Sequence, residues 1–512
     1  MNPNRQRRLM HRFAVSGRAE RGSCASWTLA LLVVLSASRA FAQIAPAGNE
    51  FRVNTYTTGQ QVLPSVTHTI DGRFVAVWTS YGPDGSVGGV VGRRFDADGT
   101  KLGQEFLANT YTTGAQTQPS VGADDNGHYV VVWTGASDQD GSGLGIFGQR
   151  YNATGGKLGA EFLVNSGTSG SQQTPDIAVL PDGSFVTVWQ AGDGGGAGVS
   201  ARRFGADGVA LGNNFRVNSG TAYDQILPAI SADTDGSFVV VFASYGGDDP
   251  ADTATAGVFA RRYGANGSPL SDDFQVNTYT TGGQTFPDVG VQPGGGFVVV
   301  WQDGEQFAKS SIVGRLFDAT GTAIDDEIVI QSDATNTRER PRVAVGGDGS
   351  FVVAWESRPQ DGSSTGMFAQ RFSASGAPLG GEFQVNSFTA GGQYSAAISD
   401  DGQSNVVVVW QSPQDGSADG IDGQRFVTES SPAGSCGDPI ALTTGFAAST
   451  HLGRAVTATD ALAILQAAVG LLACELCVCD VNGSATLSAS DALLTLQYSV
   501  GQSTSLFCPP CS

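Results

Sequence analysis

Phe297-Val298-Val299-Val300-Trp301 is a run of five apolar residues that ends on a tryptophan, and the chain keeps returning to it. Trp78, Trp133, Trp189, Trp355 and Trp410 close equivalent runs, with Phe242 in the fourth place. The intervals along this series are 55, 56, 53, 59, 54 and 55 residues, which makes seven units in one array. A repeat of this period belongs to a solenoid or a propeller, whose units bury their apolar faces against one another. Apolar residues on both faces of the run predict a strand covered on both sides.

Working outward, each unit opens near Pro64, Pro119, Pro175, Pro228, Pro287, Pro341 or, in the last, Ala396. A short apolar alternation follows, then a turn such as Asp71-Gly72, Asn126-Gly127 or Asp182-Gly183, then the run ending in tryptophan. Asn-Gly and Asp-Gly tolerate the positive backbone dihedrals of tight hairpins, so two antiparallel strands are expected around each. A Gly/Asp/Ser-rich loop leads to a third strand ending at pairs such as Arg94-Phe95, Arg203-Phe204 and Arg425-Phe426. The arginine of each pair is expected to cover an aromatic face or pair with a loop carboxylate. A second turn, as at Asp98-Gly99, precedes a fourth strand, for example Glu161-Phe-Leu-Val-Asn165.

The fourth strand decides the topology. Six copies follow a third strand, whereas the seventh, Glu50-Phe51-Arg52-Val53-Asn54, stands alone near the N-terminus, and the last unit stops after Arg425-Phe426. Pairing the two closes a ring and leaves no open sheet edge at its ends. The expected fold is therefore mainly β: a seven-bladed propeller of four-stranded blades closed by the N-terminal strand, plus a small α-helical domain. Blades are placed on 64–118, 119–174, 175–227, 228–286, 287–340, 341–395, and 396–427 completed by 49–54.

Residues 1–42 read as a signal peptide: six arginines from Arg5 to Arg21 precede an apolar stretch, and Ala40-Phe41-Ala42 has the small-x-small form of a cleavage site. The propeller then occupies 43–430 and a cysteine-rich domain 431–512. Export makes a secreted or extracellular protein, with cell-surface attachment or the periplasm as variants, and no membrane span after signal removal. The chain has 28 basic and 48 acidic residues; without the leader 21 and 47 remain, a net charge of about −26. Such a surface disfavours nucleic acid and suits cations, neutral glycans or basic protein surfaces.

Six of the seven cysteines, Cys436, Cys474, Cys477, Cys479, Cys508 and Cys511, fall in the last 77 residues. Two readings stand: disulfides, which export favours, or a thiolate metal site, which the Cys474-x-x-Cys477 and Cys508-x-x-Cys511 spacings allow. Helical repeats at 459–470 and 490–501 match at an offset of 31. Before the second, Asp480, Asn482, Ser484 and Asp491, with the carbonyl of Thr486, have the oxygen spacing of a calcium loop. One calcium site is expected there.

This segment, about 449–501, resembles a type I dockerin, a duplicated loop-helix module. The resemblance implies calcium binding and docking to a cohesin-like protein or cell-surface component through Ala489-Ser490 and Ala458-Thr459. The first loop places Ser449, His451 and Gly453 at ligand positions and keeps only Asp460. The array itself looks like the propeller repeats of secreted bacterial proteins.

Catalytic residues are not identifiable. The mature histidines, His68, His128 and His451, do not recur, and no nucleophile elbow, zinc-binding His pair or phosphate loop is present. Carboxylates are the available stock: Asp138, Asp140, Asp193, Asp248, Asp249, Asp252, Asp303, Asp361, Asp415, Asp419 and Asp422 are expected in the loops between second and third strands. With Asn54-Thr-Tyr56, Asn109-Thr-Tyr111 and Asn277-Thr-Tyr279, these loops form a rim suited to a glycan or peptide. Whether the protein is an enzyme is left open. The leading reading is a secreted binding or structural protein with a calcium-dependent docking module; the alternative is an extracellular polysaccharide-acting hydrolase or lyase.

Overall fold

In the computed structural model, residues 44–428 are described except 70, 83–84, 86, 138, 247–254, 305–308, 333–334, 404 and 417. The leader, the cysteines and the calcium-loop residues Asp480, Asn482, Ser484, Thr486 and Asp491 lie outside the described residues. Within them the strands form seven antiparallel sheets. The first blade runs Gln61–His68, Phe74–Ser80, Gly89–Phe95 and Lys101–Leu107 from the axis outward, and the other six repeat that order. First strands of neighbouring blades pack on one another all round the ring, with Tyr394–Asp400 of the last against Gln61–His68 of the first. They therefore line a central channel.

The terminal strand closes the ring as the strand count predicts, and does so twice over. Phe51–Arg52 pairs with Asp422 and Gly423, and Ile44–Pro46 pairs with Phe426 to Thr428, both on the last third strand, Gly420–Thr428. Side chains repeat the message. In every blade an Asn, or Gln331 in the fifth, accepts a hydrogen bond from the N–H of the second or third residue of the third strand: Val90 to Asn109 at 2.8 Å, Ile146 to Asn165 at 2.8 Å, Met367 to Asn386 at 2.8 Å. At the closure Ile421 N donates to Asn54 at 2.8 Å across 367 residues. A second belt clasps adjacent blades, as where Ser332 N donates to Glu382 at 3.0 Å; Ser387 N donates to Glu50 at 2.6 Å to complete it.

The six repeated tryptophans are fully buried. Each apolar cluster is shared by two blades; Trp78, for instance, packs with Val407, Val409 and Ile421 of the seventh. Truncating such a side chain to alanine costs about 3–5 kcal/mol. The aromatic that opens the second strand stacks on the one that ends the third, as Phe74 on Phe95 at 4.7 Å and Phe185 on Phe204 at 4.7 Å.

Two local expectations are refined. The arginine beside the third-strand aromatic mostly reaches carbonyls in the next blade: Arg94 donates to Ala153 O at 2.9 Å, Arg203 to Asn266 O at 2.5 Å, and Arg425 to Asp98 O across the closure at 2.6 Å, whereas Arg371 pairs with the turn carboxylate Asp348 of its own blade at 3.7 Å. The cation over the ring is the arginine one residue earlier, as with Arg202 over Phe204 at 5.4 Å and Arg315 over Phe317 at 5.6 Å. In addition, the prolines do not begin the blades. Each inner strand starts two to four residues before, and the residue preceding the proline, or Ala396, is a bulge with φ between 50 and 55°: Leu63, Gln118, Thr174, Leu227, Phe286, Arg340 and Ser395. For non-glycine residues this left-handed conformation costs roughly 1–3 kcal/mol and persists where the surroundings over-determine it.

Candidate functional site

Each inner strand is the edge of its sheet, so its outward N–H groups need acceptors from the neighbouring blade. Side chains on the channel wall supply them. Val121 N donates to Ser65 at 3.2 Å, Val291 N to Ser231 at 3.0 Å, and His68 N to Ser399 at 2.9 Å. In two blades the same task falls to a carboxylate: Ile230 N donates to Asp176 at 3.0 Å and Val343 N to Asp288 at 2.8 Å. At the aligned position Ser65 does this work without charge in the first blade. Burial pushes Asp288 up to about 6 and raises Asp176, with Arg342 in the sixth blade opposing the shift in both. All three remain partly accessible within the channel.

The sixth blade departs furthest from its sisters. Two residues before the aligned proline stands Glu339, where the others have Val62, Thr117, Gln173, Ile226, Thr285 and Tyr394. Arg340 occupies the bulge, where the others are uncharged. After the tryptophan comes Glu356, where the others have Thr79, Thr134, Gln190, Ala243, Gln302 and Gln411; two further on comes Arg358, again unmatched by any charge. Glu339 and Glu356 are cross-strand partners at the end of the sheet that carries the loops between second and third strands.

These four residues form two ion pairs on adjacent strands. Arg340 Nη1 lies 3.3 and 3.4 Å from the two Glu356 oxygens, and Arg358 lies 3.0 Å from Glu339. The Arg340 guanidinium sits over the Phe286 ring at 5.4 Å, reaching back to the fifth blade. Glu356 also accepts Ser395 N of the seventh blade at 2.8 Å. Gln302 and Thr79 do the equivalent work without charge, accepting Arg340 N at 3.3 Å and Gln118 N at 3.1 Å. Burial raises the Glu356 carboxyl above its ordinary value, while Ser395 N and Arg340 pull it back. A buried carboxylate is costly unless paired, and Arg340 supplies the pairing.

The carboxylates singled out from the sequence are placed differently. Asp140 accepts Asn165 Nδ2 at 3.1 Å and Asp193 accepts Asn218 Nδ2 at 3.0 Å, so these hold the loop ends to the buried asparagines. Asp361 caps its own turn through Ser363 N at 3.0 Å, and Asp419 accepts Gln411 Nε2 at 2.7 Å. Asp303 and Asp422 are buried within strands rather than in loops. Asp138, Asp248, Asp249 and Asp252 lie outside the described residues, as does the side chain of Asp415. The rim asparagines Asn54, Asn109 and Asn277 face inward as structural acceptors. His128 is half-exposed and bonded to Asp124 at 3.0 Å.

The site residues were legible in principle. Aligning units on the proline sets Arg338-Glu339-Arg340-Pro341-Arg342 beside Gln61-Val-Leu-Pro-Ser65 and Gln225-Ile-Leu-Pro-Ala229, and only the sixth is charged throughout. Two grooves on the opposite face, one between the fourth and fifth blades and one between the first and second, are lined by equivalent residues such as Phe238, Arg262 and Ala319, and Phe74, Arg94 and Ala153. Their recurrence marks them as by-products of blade packing. Among the described residues no group of three or more His, Cys, Asp or Glu side chains is placed to hold a metal ion.

No family model matches the chain, and no curated protein matches it. Solved structures with a similar overall outline include a protein of unknown function from Dyadobacter fermentans, at 11% identity over 75% of this chain and 99% of that one, TM-score 0.46. An alpha-L-arabinanase of Penicillium chrysogenum complexed with arabinobiose matches at 13% identity over 74% and 99%, TM-score 0.43. A polysaccharide lyase matches at 9% identity over 75% and 91%, TM-score 0.44.

Proposed function

We propose that the protein is an exported binding propeller that takes a glycan at the mouth of its central channel, on the face bearing the loops between second and third strands. The observation that carries this reading is the two ion pairs, Arg340–Glu356 and Arg358–Glu339, beside Phe286, charged where six sister blades are neutral. The six sister blades form the same strands with uncharged residues at these positions. Fixed planar donors and acceptors next to an aromatic ring suit paired hydroxyl and acid groups of sugars.

A hydrolytic second reading draws on Asp176 and Asp288, two channel carboxyls held above their usual range near Arg342. Retention on a glycan panel with no new reducing ends is the expected result. Release of reducing ends would replace binding with hydrolysis, and no retention on any glycan would sink both readings.

The C-terminal segment is proposed as a one-calcium docking module, with Asp480, Asn482, Ser484 and Asp491 and the Thr486 carbonyl as ligands. Calcium is expected to raise a thermal midpoint of the full-length protein, and D480A to abolish the rise. An unmoved wild-type midpoint would refute the calcium assignment.

A further inference from the structure

We infer that the ligand at the channel mouth carries a carboxylate: it is an acidic glycan, an oligouronide, with its acid group received by Arg340 and Arg358. The inference rests on the glycan reading above and narrows it.

The first reason is which ends of the ion pairs solvent meets. The Arg340 and Arg358 side chains are 42% and 45% exposed, whereas their partners Glu356 and Glu339 are 0% and 24% exposed. An approaching molecule therefore encounters guanidinium groups, with the carboxylates behind them. The second reason is preorganisation. Arg340 is held by Glu356 on one side and the Phe286 ring beneath, and its strand is locked by the bond from its own N–H to Gln302. An arginine already fixed loses little rotamer freedom when a planar carboxylate forms two parallel hydrogen bonds with it. Only Nη1 of Arg340 and Nη2 of Arg358 are paired with described residues, which leaves the remaining N–H groups of each for a ligand.

The third reason is contrast. A chain with 48 acidic against 28 basic residues repels anions over most of its surface, so exposed cations at the channel mouth are where an acidic ligand can settle. Arg342, two residues along the same strand, continues the cationic side of the wall deeper into the channel, where Asp288 and Asp176 oppose it. The acid group is thus expected at the mouth rather than at depth.

The test uses the full chain and three ligands of matched backbone: oligogalacturonate, its carboxyl-reduced neutral form, and that reduced form carrying sulfate esters. Titration calorimetry should find the uronide bound at least about tenfold tighter than the neutral form, weakening as salt rises. R340Q should remove that tenfold preference. Glutamine already stands in the equivalent bulge at Gln118, so this variant is expected to fold, and an unchanged melting temperature checks it. E356Q, which installs the residue found at Gln302, should keep the Ser395 bond yet weaken uronide binding severalfold by releasing Arg340. Equal affinity for acidic and neutral forms, an unaltered R340Q, or preference for the sulfated sugar would overturn the acid-group assignment while leaving glycan binding intact. Failure of all three ligands would overturn the oligouronide assignment, while retention on the wider glycan panel decides the glycan reading separately.

Discussion

At the scale of single residues, the most informative positions are those where the seven-fold pattern supplies a control. His68 ends the first inner strand, where other blades have Ala123, Val179, Ala232, Val291, Val345 or Asp400. Burial lowers it to about 4, with Arg425 acting in the same direction and Asp401 against it. Its folded value lies below the ordinary 6.5, so between pH 6.5 and 4 the unfolded chain binds the extra proton. This contribution is therefore complete above 6.5 and lost as pH falls through 4. H68V should flatten the acid side of the stability profile, by at most about 3 kcal/mol, in urea titrations across that range. Asp288 works in the opposite sense: its raised carboxyl penalises the folded state above about 6 and relieves it on acidification. A mutant that melted with the same pH profile as wild type would show that His68 titrates normally.

At the scale of elements, the strands and their order were readable because each carries its own pattern. The runs ending in Trp78 or Trp301 are apolar on both faces, and the fold buries both. The Asp-Gly turns also mark the hairpins, although the detail differs. Gly72 takes φ 78° and Gly72 N donates to Thr69 O, while Asp71 stays outside the positive region, so one residue carries the left-handed turn. The inner-strand bulges had no such mark. Nothing about Leu63 or Thr174 favours a positive φ, and the conformation follows from packing seven edge strands around one axis. The buried role of Asn109 and Asn165 was hidden for the same reason: their acceptors and donors come from other strands and loops.

At the scale of the whole molecule, closure is a statement about chain ends that lie far apart in sequence. Asn54 does for the seventh blade what Asn109 does for the first, and Glu50 clasps Ser387 as Glu382 clasps Ser332. If the terminal strand is a full member of the ring, N54A and N109A should destabilise alike. Each leaves a buried N–H without its acceptor, at a cost of about 1–3 kcal/mol. Urea denaturation of the two variants measures this; a loss at N109A with none at N54A would mean the ring opens at its ends in solution.

Seven blades, four strands in each, and the split of the last across the termini were all written in local periodicity, which depends on nearest neighbours and a two-residue alternation. The candidate site was not, even though Arg340 and Glu356 stand in plain view. A charge in one repeat becomes meaningful only when folding brings Phe286, Arg340, Glu356 and Ser395 from three blades to one channel mouth. The same folding took Asp140 and Asp193, attractive as catalytic candidates in sequence, and spent them on loop ends. Periodicity specifies which residues are interior to a blade; the geometry of the closed ring decides which polar groups meet, because those contacts run between blades.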